Sequence, residues 1–166
     1  MTIRNRGAST PFAFLVLITF ALLAPFMGDA RAQAADPVSG VVRVKSAYSV
    51  PETVTRIKKD VADKGIMWFS EVDQQQLAAN AGIKLRPSTL LTFGNPPLGT
   101  LFIKANPLAG LDWPVRVLVL EDESGQVWAA YTDFGYIARR HNISGADAES
   151  FAKASGVIAS ITSSVK

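Results

Sequence analysis

Cysteine is absent from the chain, and histidine occurs once, at position 141. The first absence excludes disulfides, thiol nucleophiles and cysteine-ligated metals. The second leaves no zinc ligand set of the usual kind, because such sites draw three or four ligands from Cys, His and carboxylates. No metal and no cofactor are therefore expected. A strong excess of one charge is also lacking: 17 Lys+Arg stand against 14 Asp+Glu. With no basic stripe to meet a run of phosphates, nucleic acid is not an expected partner. Internal repeats and low-complexity tracts are missing too.

What is present first is an unusual N-terminus. Arg4 and Arg6 precede a stretch without charge from Pro11 to Met27. Small residues follow, and Ala30-Arg31-Ala32 and Ala32-Gln33-Ala34 both fit the signal-peptidase rule. Basic start, apolar middle and small-residue ending form the secretory pattern. Residues 1–34 are read as a cleavable signal peptide and residues 35–166 as one exported domain, periplasmic or secreted. Membrane contact is then expected only through the leader before cleavage. The alternative is an uncleaved anchor, since the apolar stretch is near the lower limit for a spanning helix. Pro25 and the A-x-A ending favour cleavage. Loss of Arg4, Arg6, Arg31 and Asp29 with the leader takes 17 basic and 14 acidic residues to 14 and 13, and the net charge from +3 to +1. The remaining chain is long enough to hold itself together by its core alone.

Hydrophobic periodicity divides that domain. Gly40–Ala47 alternates, with Val42 and Val44 opposed to Arg43 and Lys45, as a half-buried strand does. Ser49 and Glu52 are spaced as a capping box, and Val54, Ile57 and Val61 recur at helical spacing up to Gly65. Ile66–Val72 reads as a strand, and Asp73 with Gln76 opens a short helix that Gly82 ends. Ser88–Phe93 is a third strand, broken by Gly94-Asn95-Pro96-Pro97. Leu98–Ala109 suits a helix that Pro107 ends or bends. Val115–Leu120 and Val127–Tyr131, joined by a short polar turn, read as an antiparallel hairpin. Asp133 caps a helix to about His141, and one or two helices close the chain from Gly145. The expected fold is α+β: a mostly antiparallel sheet of about five strands with helices packed on one face. A mixed α/β sheet is the alternative, which the closeness of the last two strands disfavours.

From Gly65 to Asn142 the residues carry a resemblance. Ala81-Gly-Ile-Lys-Leu-Arg-Pro-Ser-Thr-Leu-Leu91, Phe93-Gly-Asn-Pro96, Asn106-Pro-Leu-Ala-Gly-Leu-Asp112, Trp113-Pro-Val-Arg-Val-Leu-Val119 and Tyr131 to His141 stand in one order and at one spacing. In these the chain resembles the family called domain of unknown function 302. Phe93-Gly-Asn-Pro followed by Leu111-Asp-Trp-Pro is the most specific part. The resemblance implies a compact sandwich, a sheet with helices against it, and no particular reaction. Many members have His after the Asp matching Asp73, where this chain has Gln74. Chemistry resting on an Asp-His pair there is thereby put in doubt.

The candidate sites each have a plain structural explanation. Asp73 lies where a strand meets a helix, and an N-cap worth about 1 kcal/mol accounts for it; Asp133 has the same explanation. His141 stands beside Arg139 and Arg140, and histidine is a residue type that can serve as a general base. Yet cations at a helix C-terminus are favoured by the dipole alone, and no partner carboxylate is apparent. The Phe93–Thr100 loop could present amides to an anion, but its two prolines donate none and no P-loop lysine follows. Most aromatics lie in or beside strands, as core residues do. The segment Leu98–Leu108 is apolar around most of its circumference, so it is deeply buried or covers an apolar cavity. Three functions follow. The leading one is non-catalytic binding of a small apolar or amphipathic ligand near Phe93, Asn95, Phe102 and Trp113. The others are a protein-interaction module of the cell envelope, possible as a homodimer, and a hydrolase- or isomerase-type enzyme using Asp73, Asp133 or His141.

Overall fold

The structure is a computed structural model that describes residues 1–2, 36, 38–145 and 147–166, without the side chains of 147 and 148. The expected leader lies outside the described residues. Five strands form one sheet: β1 (Val41–Lys45), β2 (Met67–Asp73), β3 (Ser88–Gly94), β4 (Val115–Glu121) and β5 (Val127–Thr132). Their order is β1-β5-β4-β3-β2, and every neighbouring pair is antiparallel. The fold is thus the α+β arrangement and not the mixed sheet. Helices are α1 (Val50–Asp63), α2 (Gln74–Asn80), α3 (Pro96–Ala105), α4 (Phe134–Arg140) and α5 (Asp147–Ser163), with a short 3-10 helix at Pro107–Asp112.

Strand alternation decides where the core lies. Val42 and Val44, Leu91 and Phe93, Val117 and Val119, Val127 and Ala129 are all buried on one face. Residues facing the other way, such as Leu90, Leu118, Trp128 and Ala130, stay partly accessible. Onto the buried face α1 sets Val54, Ile57 and Val61, while α5 sets Phe151, Ala154, Ile158 and Ile161. Each fully buried side chain of this size contributes about 1.5–3 kcal/mol. The end of α1 is a Schellman turn: Ile66 N–H donates to Val61 O and Gly65 N–H to Ala62 O. Gly65 takes φ +62 there, which a residue without Cβ adopts freely.

Several local expectations need correction. The helix after β3 starts at Pro96, not at Leu98. Pro-Pro was read as a breaker, but the first helical positions leave their amides unbonded in any case, so proline fits them. Pro107 does end that helix, and the 3-10 helix replaces its last turn. The capping boxes are one-sided. Ser49 Oγ accepts from Glu52 N–H, while the Glu52 carboxylate turns to Arg56. Asp73 likewise accepts from Gln76 N–H, and Gln76 reaches Asn80. Not every aromatic belongs to the core. Trp128 lies on the open face under Arg43, 4.2 Å from ring centre to guanidinium, and Phe69 is 42% exposed.

Candidate functional site

A cleft of about 230 Å³ opens between the end of β3, α3 and α5. Its position follows from Phe93-Gly94-Asn95, which carries the chain out of the sheet into α3. Asn95 is the N-cap: its Oδ1 accepts from Leu98 N–H at 3.3 Å, and its backbone carbonyl accepts from Leu98 and Gly99 N–H. These bonds engage the accessible amides at the start of α3, so the loop offers no anion cradle. One wall is Trp113. Its indole lies so close over Gly99 that a Cβ there would come within 1.7 Å of Nε1. Gly94 is a second seat, with Trp113 at 3.3 Å from the same hypothetical atom. Behind Trp113 stands Phe69, edge-on at 5.6 Å. The floor includes Phe93, Phe102 and Phe134, and α5 adds Ala154, Val157, Ile158 and Ile161. Phe102 is fixed by Phe151 stacked on it at 3.9 Å.

Phe93, Asn95, Phe102 and Trp113, the four expected ligand contacts, all line this one cleft. Gly99, Lys64 and the α5 residues also line it and were not anticipated. Helical spacing of Ala154, Val157, Ile158 and Ile161 was the available signal, but it marks a packed face equally well. The apolar surround of α3 resolves into two parts: Phe102 is 4% exposed, whereas Leu108 is 65% exposed.

The three catalytic candidates do not converge. Asp73 caps α2, pairs across the edge with Thr89 and stands at the level of Ala129. Asp133 caps α4, with Oδ1 accepting from Tyr136 N–H at 2.8 Å. Three strand spacings of roughly 4.8 Å and four residues of roughly 3.3 Å rise separate them. His141 closes α4 at its other end, roughly 12 Å from Asp133 at 1.5 Å per residue. Gln74 accepts from Ser88 Oγ at 2.7 Å and ties α2 to β3.

His141 does have a carboxylate. Its side chain is buried, and Nε2 meets Asp112 Oδ2 at 2.6 Å. Asp112 Oδ1 accepts from Arg116 at 3.3 Å and Arg140 at 3.2 Å. Asn106 Nδ2 donates to the His141 carbonyl at 2.9 Å. The dipole explanation is therefore incomplete for His141 and Arg140, both of which are held by Asp112. The void beside this cluster is about 20 Å³, room for about one water and not for a substrate. Its evident work is to clamp the 3-10 helix, and with it the adjoining Trp113, onto α4 and β4. Among the described residues no group of three or more His, Asp or Glu is placed to hold a metal ion. No described helix is long and apolar enough to cross a membrane.

An antiparallel sheet with one helical layer, a half-open apolar cleft and a buried Asp-His pair define the class: a small α+β sandwich with a pocket between sheet and helices. Residues 42–161 match the family described as "Domain of unknown function DUF302". The chain belongs to that family. A protein of that family from Bacillus stearothermophilus, of known crystal structure, superposes with a TM-score of 0.69 at 16% identity, covering 76% of this chain and 98% of that one; at that identity it speaks for the fold alone. Two relatives carry the name fluoride-specific ion channel. FluC 1 of Brucella suis biovar 1 is 40% identical over 105 residues, 63% of this chain and 41% of that protein. FluC 2 of Brucella melitensis biotype 1 is 40% identical over the same length, 39% of that protein. The chain thus spans about two fifths of the length of these relatives.

Proposed function

We propose that the domain is exported and binds a small apolar or amphipathic molecule in the Trp113 cleft, without performing chemistry on it. The observation that carries this reading is the composition of the walls. Apart from Lys64, Asn95 and the Trp113 indole nitrogen, every described lining side chain is apolar, and the one ionisable group among them, Lys64, is paired with Asp60. Pockets for small ligands have this make-up, an apolar lining with a few polar groups to orient the guest.

Val157 stands at the rim and is 38% exposed, so a larger residue there can fill the mouth without overpacking the core. Val157→Trp is expected to abolish binding of an environment-sensitive apolar dye while leaving the melting temperature nearly unchanged. Equal dye binding by the folded variant would overturn the reading. Export has its own test: mass spectrometry of the protein from its host should find an N-terminus between Gln33 and Asp36, and an intact Met1 would contradict it.

A second reading, an interaction module of the cell envelope, is favoured by two observations. The relatives that share this segment are named as ion channels, and the edge strand β2 exposes Met67 and Phe69. Light scattering of the wild type and of Phe69→Lys separates the cases: a dimer that the variant dissolves supports this reading.

A further inference from the structure

We infer that the ligand of the Trp113 cleft is a monocarboxylate of about eight carbons in all, an inference that rests on the binding reading above. The chain length comes from the space. A cleft of about 230 Å³ holds about eight non-hydrogen atoms at the ~30 Å³ that one water occupies in the liquid. The head group comes from the polar side chains.

Among the described residues, three side chains lining the cleft are polar: Lys64, Asn95 and Trp113. All three carry donors. The Trp113 Nε1–H has no hydrogen-bond partner among the described residues, and an indole nitrogen can only donate. Asn95 Oδ1 accepts from Leu98 N–H and keeps one lone pair, while its amide NH₂ adds two donors. Lys64 Nζ is engaged by Asp60, yet an ammonium carries three donors and can hold a second oxygen. Among the described lining side chains donors outnumber acceptors, and the one charged group, Lys64, is a cation. A head that needs to donate, such as an ammonium, would meet that charge and a single half-used acceptor. An oxygen-rich anion matches all three, and bonds to an ionised acceptor are the stronger kind. Together Phe69 behind Trp113 and the two glycine seats hold the indole nitrogen in place, so its donor does not have to be ordered on binding.

Calorimetric titration of the purified protein with octanoate, 1-octanol and octylamine tests this. Octanoate is expected to bind at least about ten-fold more tightly than either competitor. Equal affinity for all three would overturn the carboxylate inference and leave the apolar-binding reading standing. Binding of none would overturn both. Two variants locate the donors. Asn95→Asp keeps the cap oxygen and removes the NH₂, and Trp113→Phe keeps most of the wall and removes the N–H. Each is expected to weaken octanoate about ten-fold and octanol much less. Circular dichroism checks the fold of each, and a folded Asn95→Asp protein that binds octanoate as tightly as wild type would sink the assignment even if Trp113→Phe fails to fold.

Discussion

Asp112 shows how one side chain can carry a site's geometry without touching its contents. Its bonds to Arg116 and Arg140 involve half-exposed guanidinium groups, and such pairs contribute little. The bond to His141 is different, because both side chains are about 95% covered. Asp112→Ala is expected to lower stability by about 1–3 kcal/mol, the cost of a buried polar group left without its partner, read as a shift in the urea midpoint. Asp122 makes a prediction in pH. Bonds from the Ser124 hydroxyl, the Trp128 indole N–H and the Gln126 and Ser124 amides hold its carboxyl well below the usual carboxylate range. A folded-state pKa below the unfolded one adds stability above the unfolded value, near 3.8, and this is lost as pH falls toward the folded value. Wild type should therefore exceed Asp122→Asn in urea midpoint above about pH 5, with the gap narrowing below pH 4. A constant gap would refute the assignment. Residue-scale chemistry was the least legible in the sequence. His141 was visible as a lone titratable group, but its carboxylate lies 29 positions upstream. Only the folded chain joins them, although Asp112 stood in the most specific part of the family resemblance.

Elements were far more legible, because each is written in a local pattern. Alternation marked β1, and the polar turn between β4 and β5 marked the hairpin. Spaced valine and isoleucine marked α1, whose Ser49 and Gly65 ends were both readable. The start of α3 was not, because Pro96-Pro97 has two opposite meanings: it stops a helix from within and suits one at its first turn. Which applies depends on Asn95 bonding to Leu98, a contact that periodicity does not reveal. Two glycines show how different the demands of an element and a wall are. At Gly65 an added Cβ meets nothing within 4 Å, so Gly65→Ala should cost only the left-handed strain of about 1–2 kcal/mol. At Gly99 the same methyl collides with the Trp113 ring. Gly99→Ala should cost about 1–3 kcal/mol through overpacking and should also shift Trp113 fluorescence, which Gly65→Ala leaves alone. Thermal melts followed by emission distinguish the two.

For the whole molecule, the antiparallel sheet with a single helical layer was foreseen, because alternation in five short segments and helical spacing between them add up to that arrangement. The cleft's depth was not, since it depends on how far α5 stands off from β3, and no pattern within either segment records that distance. The design has a consequence for the last helix described. α5 supplies one side of the cleft through Ala154, Val157, Ile158 and Ile161, so any guest doubles as a splint for it. Amide hydrogens of residues 151–163 should exchange more slowly in the occupied protein than in the empty one, while those of β1, on the far edge, keep their pace. A molecule seated beside Trp113 would thereby set how long α5 stays docked on the sheet.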